Sequence, residues 1–458
     1  MKNLKSITIP LLIILSIGSA CKKSWLDAKP NKSLVVPKEL PDFQAMLDYS
    51  ALMNDQLPSL SMVGDGDYFV TDAAFNAVVS PQEKGAYIWA ATADFYGGQI
   101  ATDWRGAYVR ILQDNVVLDG LQNITYNPNQ IVDFNNIKGS ALFYRSLDFY
   151  DLSQQYCKPY QASTANTDLG LPLRISSNVN LSVGRSTVQQ TYDEIIDDLL
   201  QAIPILPVTP LYPTRPSKPA AYGLLARIYL SQENYQKGLL YADSCLQLQG
   251  SLMDFNQLKI GSYDPGIPQF NKEVIYWARL AMYTTTDNYV YIADPALVQS
   301  YAVNDLRNSI FFFDYSGHKA FWGTYVGDGY YNFGGIATDE MYLIRAECYA
   351  RAGKVQEAMN DLNTLLKTRW KTGTYTNQIA TSADDALKLI IVERRKELCF
   401  RNLRWSDLRR LNKDSRFQTT LTRTVNGQNY SLPPNSPRYT LPLDPIETTS
   451  GGLQQNPR

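Results

Sequence analysis

A dense group of charged side chains near the end of the chain is the segment most easily mistaken for an active site. Its members are Glu393, Arg394, Arg395, Glu397, Arg404, Asp407, Arg409 and Arg410. Arginines and carboxylates three or four residues apart pair on a helix, and a guanidinium can bind a carboxylate through two parallel hydrogen bonds. Trp405 and Leu408 are interleaved with these charges. We therefore predict that the group clamps one helix to the neighbouring helices and performs no catalysis.

Other catalytic and metal-binding chemistry has few residues available. His318 is the single histidine, so a zinc site with several imidazoles is impossible and a serine triad would depend on that residue alone. Asp65 and Asp67 flank a glycine in a pattern that suggests calcium, but two carboxylates without further spaced ligands are a weak signal. No metal and no cofactor are predicted. Glycoside hydrolysis stays open, because its carboxylate pair is defined by separation in space.

Aromatic residues make up 12% of the chain, with 31 tyrosines, 16 phenylalanines and 7 tryptophans. A ring offers a flat apolar face at low conformational cost. For any single ring the alternative is ordinary packing in the core.

A helical hairpin occurs twice in the sequence. The first copy places Tyr222, Ala226, Tyr229 and Gly238 at offsets 0, 4, 7 and 16, and the second places Tyr342, Ala346, Tyr349 and Ala358 at the same offsets. This alternation of bulky and small residues is typical of tetratricopeptide hairpins, which must stack on neighbours to bury their apolar faces. A weaker third copy of the first helix contains Leu142, Ser146 and Phe149.

Further helices are predicted around the repeat. Apolar residues at helical spacing indicate helices over 104–121 and 188–203, and Ser382 with Asp385 three residues later indicates a helix start. Long stretches rich in aromatic, glycine and proline residues lie between the helices, at 58–100, 158–187, 205–219, 254–336 and 412–458. Loops of that length in a compact domain are usually functional or disordered, and the aromatic content argues against disorder.

The first twenty residues read as a signal peptide. Lys2 and Lys5 precede an apolar run over 7–17 that is too short to span a membrane, and small residues lead into Cys21. This order resembles a bacterial lipobox, so Cys21 is the predicted lipidation site and mature N-terminus, with plain secretion as the alternative. The whole chain has a net charge of −1 and no basic face is visible, which makes a nucleic-acid partner improbable.

Four cysteines follow Cys21 without a metal-type spacing, at positions Cys157, Cys245, Cys348 and Cys399. The last three lie among apolar residues of predicted helices, which favours buried thiols that serve as small hydrophobic residues. A disulfide, for instance between Cys348 and Cys399, stays open in an oxidising compartment.

Four segments together resemble the SusD/RagB family. They cover residues 138–152, 220–230, 340–353 and 393–410, and the last contains Glu-Arg-x-x-Glu-Leu and Arg-Trp-x-Asp-Leu, which match the family's elements. Ser146 stands where alanine is usual, and Arg401-Asn402 stands where Glu-Gly is common. The chain end from Leu441 is also similar to the family's closing segment, so the resemblance covers nearly the whole mature chain.

The resemblance implies a mostly α fold, in which a tetratricopeptide-like helical-repeat scaffold carries long irregular loops that form the binding surface. It also implies a SusD/RagB-like domain over 21–458, with an N-terminal part over 21–210 and the repeat helices and C-terminal part over 211–458. Three loops are candidates for that surface. The ligand-binding residues we predict on them are Asp65, Asp67, Trp89, Tyr96, Tyr283, Tyr289, Trp322 and Tyr325.

The function that the resemblance implies is capture of a glycan at the cell surface, without catalysis. The protein would be held on the outer membrane by its lipid anchor and would pass the glycan to a SusC-like TonB-dependent transporter. An adaptor of tetratricopeptide type that binds protein or peptide is the alternative, and a polysaccharide hydrolase is the third.

Overall fold

Packed pairs of helices form most of the protein. The computed structural model describes residues 37–92, 94–261, 264 and 266–458. The predicted signal peptide and Cys21 lie outside these residues. Seventeen α-helices lie within the described part: α1 Leu40–Leu47, α2 Ser50–Met53, α3 Leu60–Val63, α4 Asp72–Ala77, α5 Pro81–Tyr87, α6 Thr102–Leu121, α7 Ile131–Tyr156, α8 Val188–Ala202, α9 Lys218–Ser231, α10 Tyr235–Leu248, α11 Pro295–Gln299, α12 Arg307–Phe311, α13 Thr338–Arg351, α14 Val355–Lys367, α15 Ala383–Glu397, α16 Leu403–Leu411 and α17 Pro445–Thr449. The predicted mostly α fold is confirmed.

Short strands occur between the helices. The described residues contain β1 Tyr68–Phe69, β2 Val274–Tyr276, β3 Ile292–Ala293, β4 Phe312–Tyr315, β5 His318–Phe321, β6 Ile336–Ala337, β7 Leu421–Val425 and β8 Gln428–Leu432. They form two-stranded antiparallel sheets, in which β1 pairs with β3, β2 with β6, β4 with β5 and β7 with β8. These small sheets give the long loops fixed shapes.

The two predicted hairpins are present as α9–α10 and α13–α14, and α10 packs against α13. Ala226 and Ala346 are fully buried, which lets the helices approach closely. A Cβ atom on Gly238 would lie only 3.2 Å from Cys348 Sγ, so a small residue is needed where α10 meets α13. Each turn contains a left-handed residue, Glu233 at φ 60° and Gly353 at φ 75°. The tetratricopeptide-like scaffold is thereby confirmed.

The third, weaker copy of the repeat helix is part of α7, and its partner is α8. The two helices pack together although the loop 157–187 separates them in sequence. Ser146 Oγ lies 2.9 Å from the carbonyl oxygen of Leu142 and 3.2 Å from that of Ile195 on α8. The serine that replaces the usual alanine thus contacts the backbone of both helices of the pair.

Buried ion pairs join α15 and α16 to the repeat, as predicted. Arg394 Nε donates to Asp407 across 2.8 Å. The guanidinium of Arg410 makes two hydrogen bonds to Glu347 on α13, of 2.6 and 2.8 Å, and Arg410 Nε also donates to Asp407. Removing one partner of such a pair leaves an uncompensated buried charge, which typically costs about 3–5 kcal/mol.

Arg404 and Arg409 depart from the predicted pairing. Arg409 donates to the backbone carbonyls of Ser153 and Cys157 at the C-terminal end of α7, where free carbonyls carry partial negative charge. Arg404 Nε is buried and has no hydrogen-bond partner among the described residues. Burial, and then the charge of Arg395, lowers the pKa of Arg404. The prediction of bidentate carboxylate pairs is wrong for these two residues.

The cysteines of the described part, Cys157, Cys245, Cys348 and Cys399, are all free and buried. Burial raises the pKa of the Cys157 thiol to about 11. The prediction of buried thiols is confirmed, and no disulfide joins Cys348 to Cys399.

Glu39–Arg458 forms one unit by its internal contacts. The division of this segment near residue 210 into two parts stays a prediction.

Candidate functional site

The hairpin formed by β4 and β5 sorts its side chains onto two faces. Phe312 pairs with Phe321, and both are buried in the core. Phe313 and Tyr315 point to the other face, because successive side chains of a strand alternate. Ser316 (φ 49°) and Gly317 (φ 84°) form the two-residue turn, and both have the positive φ that a tight hairpin turn requires.

Five aromatic side chains gather on the outward face of this hairpin, and we call them the ring platform: Tyr289, Phe313, Tyr315, Trp322 and Tyr330. The ring centre of Tyr289 lies 6.0 Å from that of Phe313, 5.1 Å from that of Tyr315 and 6.1 Å from that of Tyr330. Tyr289 is 52% exposed and Tyr315 is 36% exposed. The platform therefore presents large apolar faces to solvent.

Trp322 forms the floor of the ring platform. Its ring lies 4.9 Å from that of Phe313 at an interplanar angle of 30°, and the side chain is only 9% exposed. The indole Nε1 is buried without a hydrogen-bond partner in the described part of the chain. A buried donor without a partner costs about 1–3 kcal/mol, so the side chain of Trp322 is held by ring packing and not by a hydrogen bond of its own.

Carboxylates and an amide hold the loops that carry the platform. Asp287 accepts hydrogen bonds from the backbone N–H of Tyr289 (2.9 Å) and from the hydroxyl of Tyr330 (3.0 Å). Asn288 donates to a carbonyl of the hairpin (3.0 Å) and to one of the following loop (2.8 Å). Asp328 accepts from the backbone N–H of Tyr330 (2.9 Å). Burial, followed by the hydrogen bond to Asp287, raises the pKa of Tyr330 to about 12.

The ring platform can bind a ligand by stacking. Rigid rings contact a ligand with little loss of side-chain freedom, so their contribution to affinity is not offset by ordering. The described residues contain no group of three or more histidine, cysteine, aspartate or glutamate side chains that could hold a metal ion.

Two family models match the chain. A model of the SusD-like type, described as starch-binding associating with outer membrane, matches residues 24–230, and a model described as SusD family matches residues 338–457. The chain belongs to the SusD/RagB family. A search of curated proteins finds no match to it.

Several solved structures similar to this SusD/RagB protein come from Bacteroides species. A SusD superfamily protein from Bacteroides thetaiotaomicron is 20% identical, with a TM-score of 0.72 over 92% of this chain and 100% of that one. A SusD superfamily protein from Bacteroides vulgatus has the same identity and TM-score over 92% and 99%. A SusD-like carbohydrate binding protein from Bacteroides vulgatus is 20% identical, with a TM-score of 0.65 over 91% and 97%. At these identities the likeness supports the fold.

Five of the six rings predicted to bind ligand in this SusD/RagB protein are buried instead, and Trp322, at 9% exposure, is one of them. Trp89 is 2% exposed and donates from Nε1 to a backbone carbonyl (2.9 Å), and Tyr96 is 1% exposed and donates to another (2.7 Å). Tyr283 and Tyr325 donate to the buried carboxylates of Asp103 (2.5 Å) and Glu273 (2.8 Å), respectively. The expectation that these rings are exposed is wrong. The polar tips of four of them, all except Trp322, find partners far away in sequence, and that lets those whole rings enter the core.

Asp65 and Asp67 are also interior residues, each 1% exposed. Asp67 Oδ1 accepts from Arg395 Nε (3.0 Å), and Asp65 Oδ1 accepts from the backbone N–H of Asp67 (3.0 Å). Burial, and then the neighbouring Asp67, raises the pKa of Asp65 well above its usual value. The two carboxylates therefore belong to a buried charge cluster and do not reach a solvent-side ligand.

Of the predicted residues, Tyr289 and Trp322 each lie against the ring of Phe313. Phe313, Tyr315 and Tyr330 complete the ring platform, and the sequence analysis missed them. The sequence contained a signal for two of them. Phe313 and Tyr315 are two residues apart, which places them on the same face of a strand, and the Ser-Gly pair that follows can form the turn of a hairpin.

The larger clefts of this SusD/RagB protein lie elsewhere. One of about 830 Å³ is lined by loop 158–169, the end of α16 and the C-terminal tail, and the aromatic side chain in its lining, Tyr439, is only 2% exposed. Another of about 810 Å³ is lined by charged and aliphatic residues of α8 and the segment before it. Neither offers a ring face for stacking.

Proposed function

We propose that this protein binds a glycan on its ring platform and delivers it to a SusC-like TonB-dependent transporter in the outer membrane. The observation that carries the proposal is the exposed ring of Tyr289, bordered by those of Phe313, Tyr315 and Tyr330 within about 6 Å. Membership of the SusD/RagB family and the carbohydrate-binding description of a structural neighbour support the same role.

Affinity on such a platform comes from several weak contacts. An aromatic contact contributes about 0.5–1.5 kcal/mol beyond the burial of its area. Tyr289 and Tyr315 expose the most ring surface, so each should contribute separately to binding. Several such contacts give modest affinity for one oligosaccharide and stronger retention of a polymer, which offers many equivalent binding positions.

The membrane attachment that we propose depends on acylation of Cys21. No helix in the described part of the chain has the length and apolarity needed to cross a bilayer. The matching family model is described as associating with the outer membrane, which is compatible with a lipid anchor. Two or three acyl chains would hold a protein on a membrane durably.

Affinity electrophoresis tests the binding role. The purified protein should be retarded in gels that contain its polysaccharide, and Tyr289→Ala and Tyr315→Ala should each reduce the retardation about fivefold or more, as expected for the loss of about 1 kcal/mol. Tyr212→Ala is the matched control, because Tyr212 is 57% exposed but lies outside the platform. Retardation that persists in the Tyr289→Ala/Tyr315→Ala double variant would refute the site. Release of sugar fragments would indicate a hydrolase, and capture of a peptide with no glycan bound would favour the adaptor.

Attachment to the membrane and association with the transporter need separate experiments. Cys21→Ser should prevent incorporation of radiolabelled palmitate and release the protein from outer membranes. The wild-type protein, extracted in mild detergent, should co-purify with a TonB-dependent transporter. Isolation of the protein as a lone species from its native membrane would argue against the transporter partner.

A further inference from the structure

Two carboxylates beside the ring platform lack a cationic partner. Asp287 and Asp328 make their hydrogen bonds to tyrosine hydroxyl and backbone N–H groups, and neither forms an ion pair with a described residue. Both therefore leave a negative charge next to the rings of Tyr289 and Tyr330.

The lysine and arginine side chains in the segment that carries the platform already form ion pairs with carboxylates. Between residues 283 and 335 the lysines and arginines are Arg307 and Lys319. Arg307 is fully buried and paired with Asp305 and two glutamates of α15. Lys319 pairs with Asp314 (3.0 Å) on the opposite face of the hairpin from Tyr315.

A further cation reaches the platform's loop from outside this segment, and it is also neutralised. Arg279 lies over the ring of Tyr331, 4.4 Å from its centre, and binds Asp55 through two hydrogen bonds. His318 lies at the edge of Tyr315, with ring centres 6.1 Å apart. Asp287 and Asp328, which form no ion pair with a described residue, therefore contribute negative charge next to the rings.

We propose that the ring platform takes uncharged glycans and excludes anionic ones, such as uronic-acid or sulfated polymers. This inference rests on the proposed glycan-binding function. Hydroxyl groups of a neutral sugar can donate to free lone pairs of Asp287 and Asp328, since an ionised carboxylate accepts up to about four hydrogen bonds. A carboxylate or sulfate on the glycan cannot donate, and two like charges about 4 Å apart repel each other even in water, which corresponds to about fivefold in affinity.

The test compares neutral and acidic polymers on the full-length protein in detergent. Affinity electrophoresis is run at pH 8, where imidazoles are uncharged, in gels that contain amylopectin, xylan, galactan or β-glucan, and in gels that contain polygalacturonate or chondroitin sulfate. At least one neutral polymer should retard the protein, and the acidic polymers should do so about fivefold less or not at all. Raising the salt concentration should narrow that difference, because it screens the repulsion.

Variants assign the selectivity to the two carboxylates. Asp287→Asn/Asp328→Asn keeps one acceptor oxygen at each position and removes both charges, so the ratio of retardation by an acidic polymer to retardation by the neutral polymer should rise by about fivefold or more. Asp133→Asn on α7, a helix that contributes no ring to the platform, removes one negative charge where the double variant removes two, and should have no effect on selectivity.

The outcomes separate the two proposals. Equal or stronger retardation of the wild type by acidic polymers overturns the selectivity and leaves glycan binding intact. A gain for Asp133→Asn of at least half that of the double variant also overturns the selectivity, because net charge would then be responsible. Retardation by none of the polymers overturns both proposals.

Discussion

The guanidinium of Arg410 on α16 holds the carboxylate of Glu347 on α13 through two hydrogen bonds of 2.6 and 2.8 Å. Arg410, and then Arg351, lowers the pKa of Glu347 to about 2 despite its burial. This pair joins the most family-specific segment of the sequence to the second repeat hairpin. Its geometry therefore governs how the C-terminal part is attached to the scaffold.

The Arg410–Glu347 pair should make stability depend on acidity. The folded pKa of Glu347 lies below the ordinary value of 4.5, so its stabilisation is present above pH 4.5 and is lost as the pH falls toward 2. We expect the pair to contribute about 3 kcal/mol to the free energy of unfolding. Urea unfolding at pH 7, 4 and 3 measures this contribution. Arg410→Met should remove the dependence of stability on pH that the pair causes. An unchanged pH profile in Arg410→Met would show that Glu347 is held by other groups.

Arg404 should matter less than Arg410 for stability. Its Nε has no hydrogen-bond partner among the described residues, and burial lowers its pKa, whereas Arg410 makes several charge-assisted hydrogen bonds. We expect Arg404→Met to lower the melting temperature by less than half as much as Arg410→Met, measured by calorimetry. Equal losses would mean that the charge of Arg404 alone offsets the nearby buried carboxylates.

Asp114 should destabilise the protein as the pH rises. The side chain is fully buried, and neither carboxylate oxygen has a hydrogen-bond partner among the described residues. Burial, and then Asp148, raises the pKa of Asp114 well above its usual 3.8. The folded protein therefore keeps a proton that the unfolded chain releases, so stability falls as the pH rises above about 4. In urea unfolding, the free energy of unfolding of Asp114→Asn should increase relative to that of the wild type between pH 5 and pH 8. A difference between the two proteins that stays constant over this range would contradict the prediction.

Gly238 should tolerate no branched side chain. A Cβ atom there already meets Cys348 Sγ at 3.2 Å, so Gly238→Val would overpack the contact between α10 and α13 and cost about 1–3 kcal/mol. Gly184→Val is the matched control, since no heavy atom lies within 4 Å of a Cβ at that exposed glycine. Chemical denaturation of both variants measures the difference, and equal midpoints would mean that the hairpins can separate at no cost.

Trp322 should act through ring area rather than through its indole N–H. Trp322→Phe keeps a flat ring under Phe313 and removes the unpartnered buried donor, so stability and glycan retardation should stay close to those of the wild type. Trp322→Ala should lose about 3–5 kcal/mol of stability and most of the retardation. If Trp322→Phe alone abolished retardation while melting normally, the indole N–H would be a ligand contact.

The sequence by itself determined the scaffold. Tyr222, Ala226 and Tyr229 recur as Tyr342, Ala346 and Tyr349, and that spacing determines which helix faces are bulky and which allow close approach. The pairs Arg394–Asp407 and Arg410–Asp407 were also within reach, because their members are close in sequence on packed helices. The spacing of bulky and small residues and the pairing of charges that are close in sequence can both be recognised from the sequence alone.

Only the tertiary structure decided which rings face solvent. Trp89 and Tyr289 look equivalent in sequence, since both lie in long aromatic loops. Trp89 is buried because a carbonyl 25 residues away accepts its N–H and Arg423 lies over its ring. Tyr289 lies in the loop before β3 and is left exposed against Tyr315 of the β4–β5 hairpin. Exposure depends on long-range partners of this kind, which local patterns do not encode.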